Sequence, residues 1–358
     1  MILKKTYLIQ FLFFVFLLLH SLPLVFNENY PLIIIFNYSI ILFSLIVCSF
    51  NNKKMTLLSI VLISLIFISI TMSVLGFSGS ISSLIMAASL PHFLLRNINS
   101  ERDFLKLFYK PIMISTFLLM LCSMYLYIDV KDILDSYYLG EYFTIASINF
   151  VPLVFFSFSV LQYLLFRVDD RKAENKKLQF IFLISFILIT MFFSSIFFTR
   201  SVFVCSLILL YASFKKGRIL ILLSVPIAVI YNIDIIMPII TNFLGSDNLL
   251  DIVSDYRRSD SITNMIKSSL SLSFDFSNQA SYSSLINLLF SLFPFTLVFL
   301  YNPLSALISI VKVRDITLLL VFSSCLVLVF YQMDFFSIFT FFFFMEYIKL
   351  FINEKHAI

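Results

Sequence analysis

Residues 179–214 read QFIFLISFILITMFFSSIFFTRSVFVCSLILLYASF, and Arg200 is the only charged residue among them. The stretch divides into two apolar runs, 179–198 and 201–214, which meet at Arg200 with almost no loop between them. About 20 apolar residues in a helix span the roughly 30 Å hydrocarbon core of a bilayer. The stretch therefore predicts a membrane-embedded helical hairpin with an arginine at its turn.

The rest of the chain repeats this apolar pattern. Of its 358 residues, 61% are hydrophobic and only 13% are charged, whereas soluble domains carry about 25% charged residues. Lipid can solvate the outward faces of apolar helices, which a single water-soluble core of this size could not hide. We expect an all-α integral membrane protein with about twelve transmembrane helices. The predicted spans are 6–26, 32–50, 55–77, 81–95, 111–128, 142–166, 179–198, 201–214, 219–236, 285–301, 316–332 and 335–351.

The basic residues predict the orientation of these helices. Cytoplasmic loops of membrane proteins carry an excess of Lys and Arg. Threading the spans from a cytoplasmic N-terminus places 20 of the 25 basic residues inside, which predicts that both termini are cytoplasmic. The basic residues sort by membrane side and do not form a nucleic-acid-binding patch, so we expect no nucleic acid partner. No small-residue cleavage site follows the first span, which is expected to remain uncleaved.

The chain is expected to have three parts. Residues 1–236 carry helices one to nine, residues 237–284 form one large outer loop, and residues 285–358 carry helices ten to twelve. The loop has the apolar spacing of two short amphipathic helices, joined by residues 255–260 (DYRRSD). Long structured loops are more often functional than accidental.

Arg200 is the sharpest candidate site residue because it departs from the rule that places cations inside. Two interpretations are open. The side chain either extends to outer lipid headgroups or holds an anion at the membrane surface. Its planar guanidinium matches phosphate oxygens in a bidentate fashion.

The large loop contributes the other candidates. Arg257 and Arg258 either pair with Asp255 and Asp260 or join Arg200 in a cationic site for a diphosphate group, and Lys267 is a further external cation. No cluster with metal-ligand spacing occurs on the outer side, so we expect neither a metal nor a cofactor.

The remaining ionisable residues in apolar runs are expected to be structural. The isolated His20 and His92 are interpreted as packing or interfacial groups. Glu346 and Lys349 are interpreted as an i,i+3 pair that reaches the cytoplasmic surface.

Three features carry a resemblance to a known family. The first is the run of helices with a large outer loop in the C-terminal half. The second is Thr199-Arg200-Ser201, which opens a span that ends in residues 215–218 (KKGR). The third is the aromatic and proline-containing segment 287–303 (NLLFSLFPFTLVFLYNP). In these features the chain resembles the bacterial O-antigen and capsule repeat-unit polymerases (Wzy type) and, more distantly, the O-antigen ligases.

Two departures refine the resemblance. The loop 237–284 has no histidine, which favours a polymerase over a ligase, and Phe295 stands where a Trp often follows the proline. The resemblance implies a membrane glycosyltransferase of the bacterial inner membrane. It would join undecaprenyl-diphosphate-linked oligosaccharide units into lipopolysaccharide O-antigen or capsule at the outer leaflet.

The resemblance also implies roles and partners. Arg200 with Arg257 or Arg258 would hold the diphosphate, and Asp255 or Asp260 would accept the hydroxyl proton. Membrane lipid and a chain-length regulator are the further partners it suggests. The alternative function is a flippase for the same lipid-linked oligosaccharide, which needs ionisable groups inside its spans. A membrane acyltransferase is a third option, but the Arg and His constellation it needs is not found.

Overall fold

A computed structural model describes residues 2–21, 56–74, 79–96, 98, 100–128, 150–168, 173–196, 199–214, 284–290, 292, 294–331 and 335–355. This part of the chain is 94% helix and contains no strand, which confirms the predicted all-α class for it. The predicted spans 32–50 and 219–236, and the loop 237–284 except its last residue, lie outside the described residues.

Helices of very different lengths make up the described part. They are α1 (Ile2–Ser21), α2 (Leu57–Val74), α3 (Gly79–Leu95), α4 (Glu101–Ile128), α5 (Phe150–Val168), α6 (Ala173–Ile196), α7 (Arg200–Ser213), α8 (Ser284–Phe290), α9 (Tyr301–Val313), α10 (Ile316–Tyr331) and α11 (Phe335–Lys355). A 3-10 helix, Phe295–Leu300, leads directly into α9.

Four helical segments among the described residues are long and apolar enough to cross a membrane. They are Glu101–Leu121, Val151–Val168, Lys176–Ser195 and Phe295–Val313. Five further apolar helices are shorter: Thr6–Leu18, Leu57–Met72, Ser82–Leu95, Ser201–Ser213 and Ile316–Phe330. The chain is therefore a membrane protein with several apolar helices.

Helix α11 lies at the centre of the packing, where it contacts α3, α5, α9 and α10. Its side chains from 336 to 348 are all buried, as are those of α3 from 82 to 95 and of α5 from 151 to 165. A helix that is apolar and buried on every side belongs to the core of a large bundle. These three helices form the core on which the others pack.

The outer helices present large apolar side chains on the faces that do not pack inward. Phe11 on α1 is 62% exposed, Phe67 on α2 is 65% exposed and Ile181 on α6 is 59% exposed. Soluble proteins rarely expose apolar surface in this way. These faces are the ones that lipid would cover.

Phenylalanine rings join α1, α4 and α11. The ring centroids of Phe13 and Phe108 lie 4.8 Å apart, edge to face, and those of Phe16 and Phe339 lie 4.5 Å apart. Helices surrounded by lipid gain little from the hydrophobic effect and associate through close packing instead. Aromatic pairs at these distances contribute about 0.5–1.5 kcal/mol each beyond area burial.

The predicted bounds of the span 285–301 are wrong. Helix α8 ends at Phe290, and the chain resumes a helical path only after Pro294, as the 3-10 helix that continues into α9. Proline has no N–H to donate and its ring clashes with the preceding turn, so it breaks a helix. The continuous apolar segment is Phe295–Val313.

Helix α4 begins at Glu101, well before the predicted start of its span at 111. Ser100 caps it. The Ser100 hydroxyl accepts a hydrogen bond from the Asp103 N–H at 3.2 Å and donates to the Asp103 carboxylate at 2.9 Å. This reciprocal capping pattern starts a helix where the apolar run alone gives no signal.

Candidate functional site

Arg200 is the first residue of α7, four positions after the last residue of α6. The preceding Thr199 is only 3% exposed. Its backbone N–H donates to the Ser194 carbonyl at 2.9 Å, and its hydroxyl donates to the same oxygen at 3.3 Å. These bonds attach the start of α7 to the end of α6. The prediction that Thr199-Arg200-Ser201 opens a helix is confirmed, while the side chain of Arg200 lies outside the described residues.

The start of α7 has the electrostatic character of an anion site. The first N–H groups of a helix lack partners within it, and the helix dipole adds a partial positive charge there. The first turn of α7 has no acidic residue, and Thr199 makes no side-chain capping bond to it. Arg200 adds a full positive charge where the helix already favours an anion.

The other predicted site residues are Asp255, Arg257, Arg258, Asp260 and Lys267. All five lie outside the described residues. Their proximity to Arg200 remains a prediction.

A second group of polar side chains lies inside the bundle, where α2, α3, α9 and α11 meet. We call Ser59, His92, Asn302 and Glu346 the buried polar cluster. The Nδ1 atom of His92 lies 3.0 Å from Oε1 of Glu346, and the Asn302 amide donates to the same oxygen at 2.7 Å. Glu346 is 4% exposed. Its carboxylate is therefore held by partners from two other helices.

Lys349 closes one edge of the cluster. Its Nζ lies 3.8 Å from Oε2 of Glu346 and donates to Oδ1 of Asn302 at 3.2 Å. The same ammonium group lies 5.0 Å from the centroid of the Tyr301 ring. A cation over an aromatic face gains about 0.5–2 kcal/mol, so Lys349 is stabilised from several directions.

The other edge of the cluster reaches the surface through α2. The Ser59 hydroxyl lies 3.0 Å from Nε2 of His92 and 2.8 Å from the Thr56 hydroxyl. Arg96 donates to the Ser59 hydroxyl at 3.2 Å. The cluster thus combines a carboxylate, an imidazole and two flanking cations at one end of the bundle.

Two structural interpretations made from the sequence need correction. His92 is not an isolated packing residue, because it bonds Glu346 directly. The Glu346–Lys349 pair is present, but Glu346 is buried, not extended to a surface. Ionisable residues inside apolar segments usually pair with one another and mark functional sites. Applied to His92 and Glu346 together, this rule could have predicted the cluster from the sequence.

A third polar contact joins the end of α5 to the turn between α9 and α10. Arg167 forms an ion pair with Asp315, whose other carboxylate oxygen accepts from the Leu318 N–H at 3.1 Å and from the Thr317 hydroxyl at 2.6 Å. Asp315 is therefore the N-cap of α10. Burial alone would raise the pKa of Asp315, but the hydrogen bonds from Thr317 and Arg167 outweigh it and lower that pKa.

Smaller polar contacts cross the interior of the bundle. The Gln162 amide donates to the Thr116 hydroxyl at 2.8 Å, and the hydroxyls of Ser159 and Thr190 lie 3.1 Å apart. Such bonds hold transmembrane helices together at about 0.6 kcal/mol each. No group of three or more His, Cys, Asp or Glu side chains in the described part of the chain is arranged to hold a metal ion.

Comparison with known proteins found no matching family model, no similar curated protein and no similar solved structure.

Proposed function

We propose that this chain is a membrane glycosyltransferase of the Wzy type, which joins undecaprenyl-diphosphate-linked oligosaccharide units into a surface polysaccharide. The observation that carries the proposal is the position of Arg200. A cation opens an apolar helix directly after the turn of a hairpin, at a helix end that itself favours an anion. A lipid diphosphate at a membrane surface is an anion that would occupy this position.

The proposed topology has twelve spans, cytoplasmic termini and residues 237–284 at the outer face of the bacterial inner membrane. The basic residues support it, since 20 of 25 fall on one side of the proposed arrangement. A reporter fused near Ser261 should be active only on the outer side. Cytoplasmic activity of the same fusion would reverse the orientation and place Arg200 away from the outer leaflet.

The proposed reaction needs little from the protein beyond charge and position. The bond between the growing glycan and the diphosphate breaks, a hydroxyl of the next lipid-linked unit forms the new glycosidic bond, and undecaprenyl diphosphate leaves. Arg200 with Arg257 or Arg258 stabilises the negative charge on the leaving group. Asp255 or Asp260 accepts the hydroxyl proton.

Deletion of the gene tests this function. Lipid-linked single units should still be made and reach the outer leaflet, where they should remain unjoined. Long polysaccharide should disappear while products with one unit persist. Restoring the wild-type gene should restore the long chains.

The buried polar cluster favours a second candidate function, a flippase for the same lipid-linked oligosaccharide. Transporters need ionisable groups inside their helices, and His92 and Glu346 are such groups. Under this function, deletion should leave the single units on the inner leaflet. The side on which they accumulate therefore separates the two candidates.

A further inference from the structure

A chain of hydrogen-bonding groups leads from the surface of the bundle to a buried histidine. Thr56 is exposed and lies directly before the start of α2. In the sequence it follows the basic residues Lys53 and Lys54, which favour a membrane surface, so we expect its hydroxyl to meet water. From there the contacts run to Ser59 at 2.8 Å and then to Nε2 of His92 at 3.0 Å. Ser59 is fully buried, and it joins His92 to the exposed Thr56.

When His92 is neutral, every group in this hydrogen-bonded series has its partners. Nδ1–H donates to Glu346, and Nε2 accepts from the Ser59 hydroxyl. The two lone pairs of the Ser59 oxygen then accept from Arg96 and from the Thr56 hydroxyl. Every group has a partner in this state.

When both ring nitrogens of His92 carry a proton, every group in the series again has its partners. Nε2–H then donates to the Ser59 oxygen, which still accepts from Arg96. The Ser59 hydroxyl turns to donate to the Thr56 oxygen. Only hydroxyl protons change position between the two states. The site therefore gains or loses a proton without losing a hydrogen bond, which buried polar groups can seldom do.

The charged groups around His92 are compatible with both the neutral and the protonated ring. Helix α11 contributes Glu346 and Lys349, α3 contributes Arg96, and α9 contributes Tyr301, which contacts Lys349. Helix α2 contributes hydroxyl groups. A carboxylate 3.0 Å from the imidazole balances the charge of a protonated ring.

We propose that His92 and Glu346 form a proton-binding site, which exchanges protons with water through Ser59 and Thr56. In uptake, a hydronium ion donates its proton to the Thr56 oxygen as the Thr56 proton passes to Ser59. At the same time the Ser59 proton passes to Nε2 of His92, and a water molecule is released. The site gains one proton and one positive charge. This proposal does not depend on which of the two candidate functions is correct.

The test is nitrogen-15 NMR of histidine-labelled full-length protein in lipid nanodiscs. The chain has three histidines, so His20→Gln and His356→Gln leave only the signal of His92. We expect the ring of His92 to take up one proton reversibly when the sample is acidified. A ring that stays in one protonation state on acidification, until the protein unfolds, would overturn the proposal.

The route is tested by the rate at which Nε2 exchanges its proton with water. Removing a positioned proton-transfer group slows transfer by about 100-fold, so Ser59→Ala should slow exchange by that order. Ser64→Ala is the matched control, because Ser64 lies on the same helix and, among the described residues, its hydroxyl bonds only the Ile60 carbonyl. Ser64→Ala should exchange at the wild-type rate.

Thr56→Val is the second variant. It changes an exposed residue, and the hydroxyl it removes also accepts from the Ser59 N–H at 3.2 Å. It should slow exchange in the same direction even if Ser59→Ala does not fold. Wild-type exchange in Thr56→Val, or in a folded Ser59→Ala, would show that protons reach His92 by another path and would overturn the proposed route.

Discussion

The buried polar cluster and the α6–α7 hairpin place charge in two different ways. In the cluster, Glu346 accepts hydrogen bonds from two other helices and is closed off from solvent. At the hairpin, Arg200 opens a helix whose first turn has no acidic residue. Charges that are fully paired stabilise a fold, whereas a charge at an uncapped helix end attracts a ligand. This difference is why we propose that the cluster binds a proton and that the start of α7 binds an anion.

Glu346→Ala should have the largest effect on stability. It removes a buried carboxylate that accepts from His92 and Asn302, and breaking such a pair from one side costs about 3–5 kcal/mol. Thermal unfolding in lipid nanodiscs should show a clear loss. Lys312→Ala, which removes an exposed cation from α9, should unfold like the wild type. Equal stability of the two variants would contradict the pairing at the cluster.

Arg200→Ala should abolish polymer formation without lowering the amount of protein in the membrane. Arg200→Lys should reduce it about 100-fold, which corresponds to about 3 kcal/mol, because lysine cannot bind a diphosphate with two parallel hydrogen bonds. Polysaccharide length on gels is the measurement.

Lys177→Ala is the control for the Arg200 variants, since Lys177 is an exposed cation at the opposite end of the same hairpin. It should leave the polymer unchanged. Wild-type polymer from a well-expressed Arg200→Ala variant would mean that Arg200 only contacts lipid headgroups.

Arg257→Ala and Arg258→Ala should differ from each other. Neighbouring side chains point in different directions, by about 100° if the first loop helix extends through them, so we expect only one of them to face Arg200. Losing a charged hydrogen bond should reduce polymer formation about tenfold or more in that variant. Two equally tolerant variants would remove the large loop from the proposed anion site.

Asp315→Ala should have the smallest effect, about 1 kcal/mol, because it removes the N-cap of α10 and the partner of Arg167. The pKa of Asp315 is lowered in the fold, so its contribution is complete above the unfolded value near 3.9 and is lost as the pH falls through the folded value. Thermal unfolding of the wild type should therefore approach that of Asp315→Ala as the pH falls below the unfolded value. A difference between the two that stays constant as the pH falls from about 7 until acid unfolding would contradict the ion pair.

Features that depend on residues close together in the sequence were predictable from it. The apolar runs predicted helices, and the start of α7 at Arg200 follows from the single charge between two of them. The pairing of His92 with Glu346 joins residues 254 positions apart. Only the packing of α3 against α11 brings them together, and no local pattern specifies it. The interruption at Pro294 was visible in the sequence. Whether the long helix would lie before or after it depended on packing as well.

Reconstitution of the purified chain in liposomes is the most direct test of the proposed polymerase activity. Undecaprenyl-diphosphate-linked repeat units would be supplied on the surface that faces the predicted outer side, and the products would be separated by size. We expect a ladder of products with two, three and more repeat units, together with release of undecaprenyl diphosphate. If folded protein leaves every unit single, the chain is not a repeat-unit polymerase.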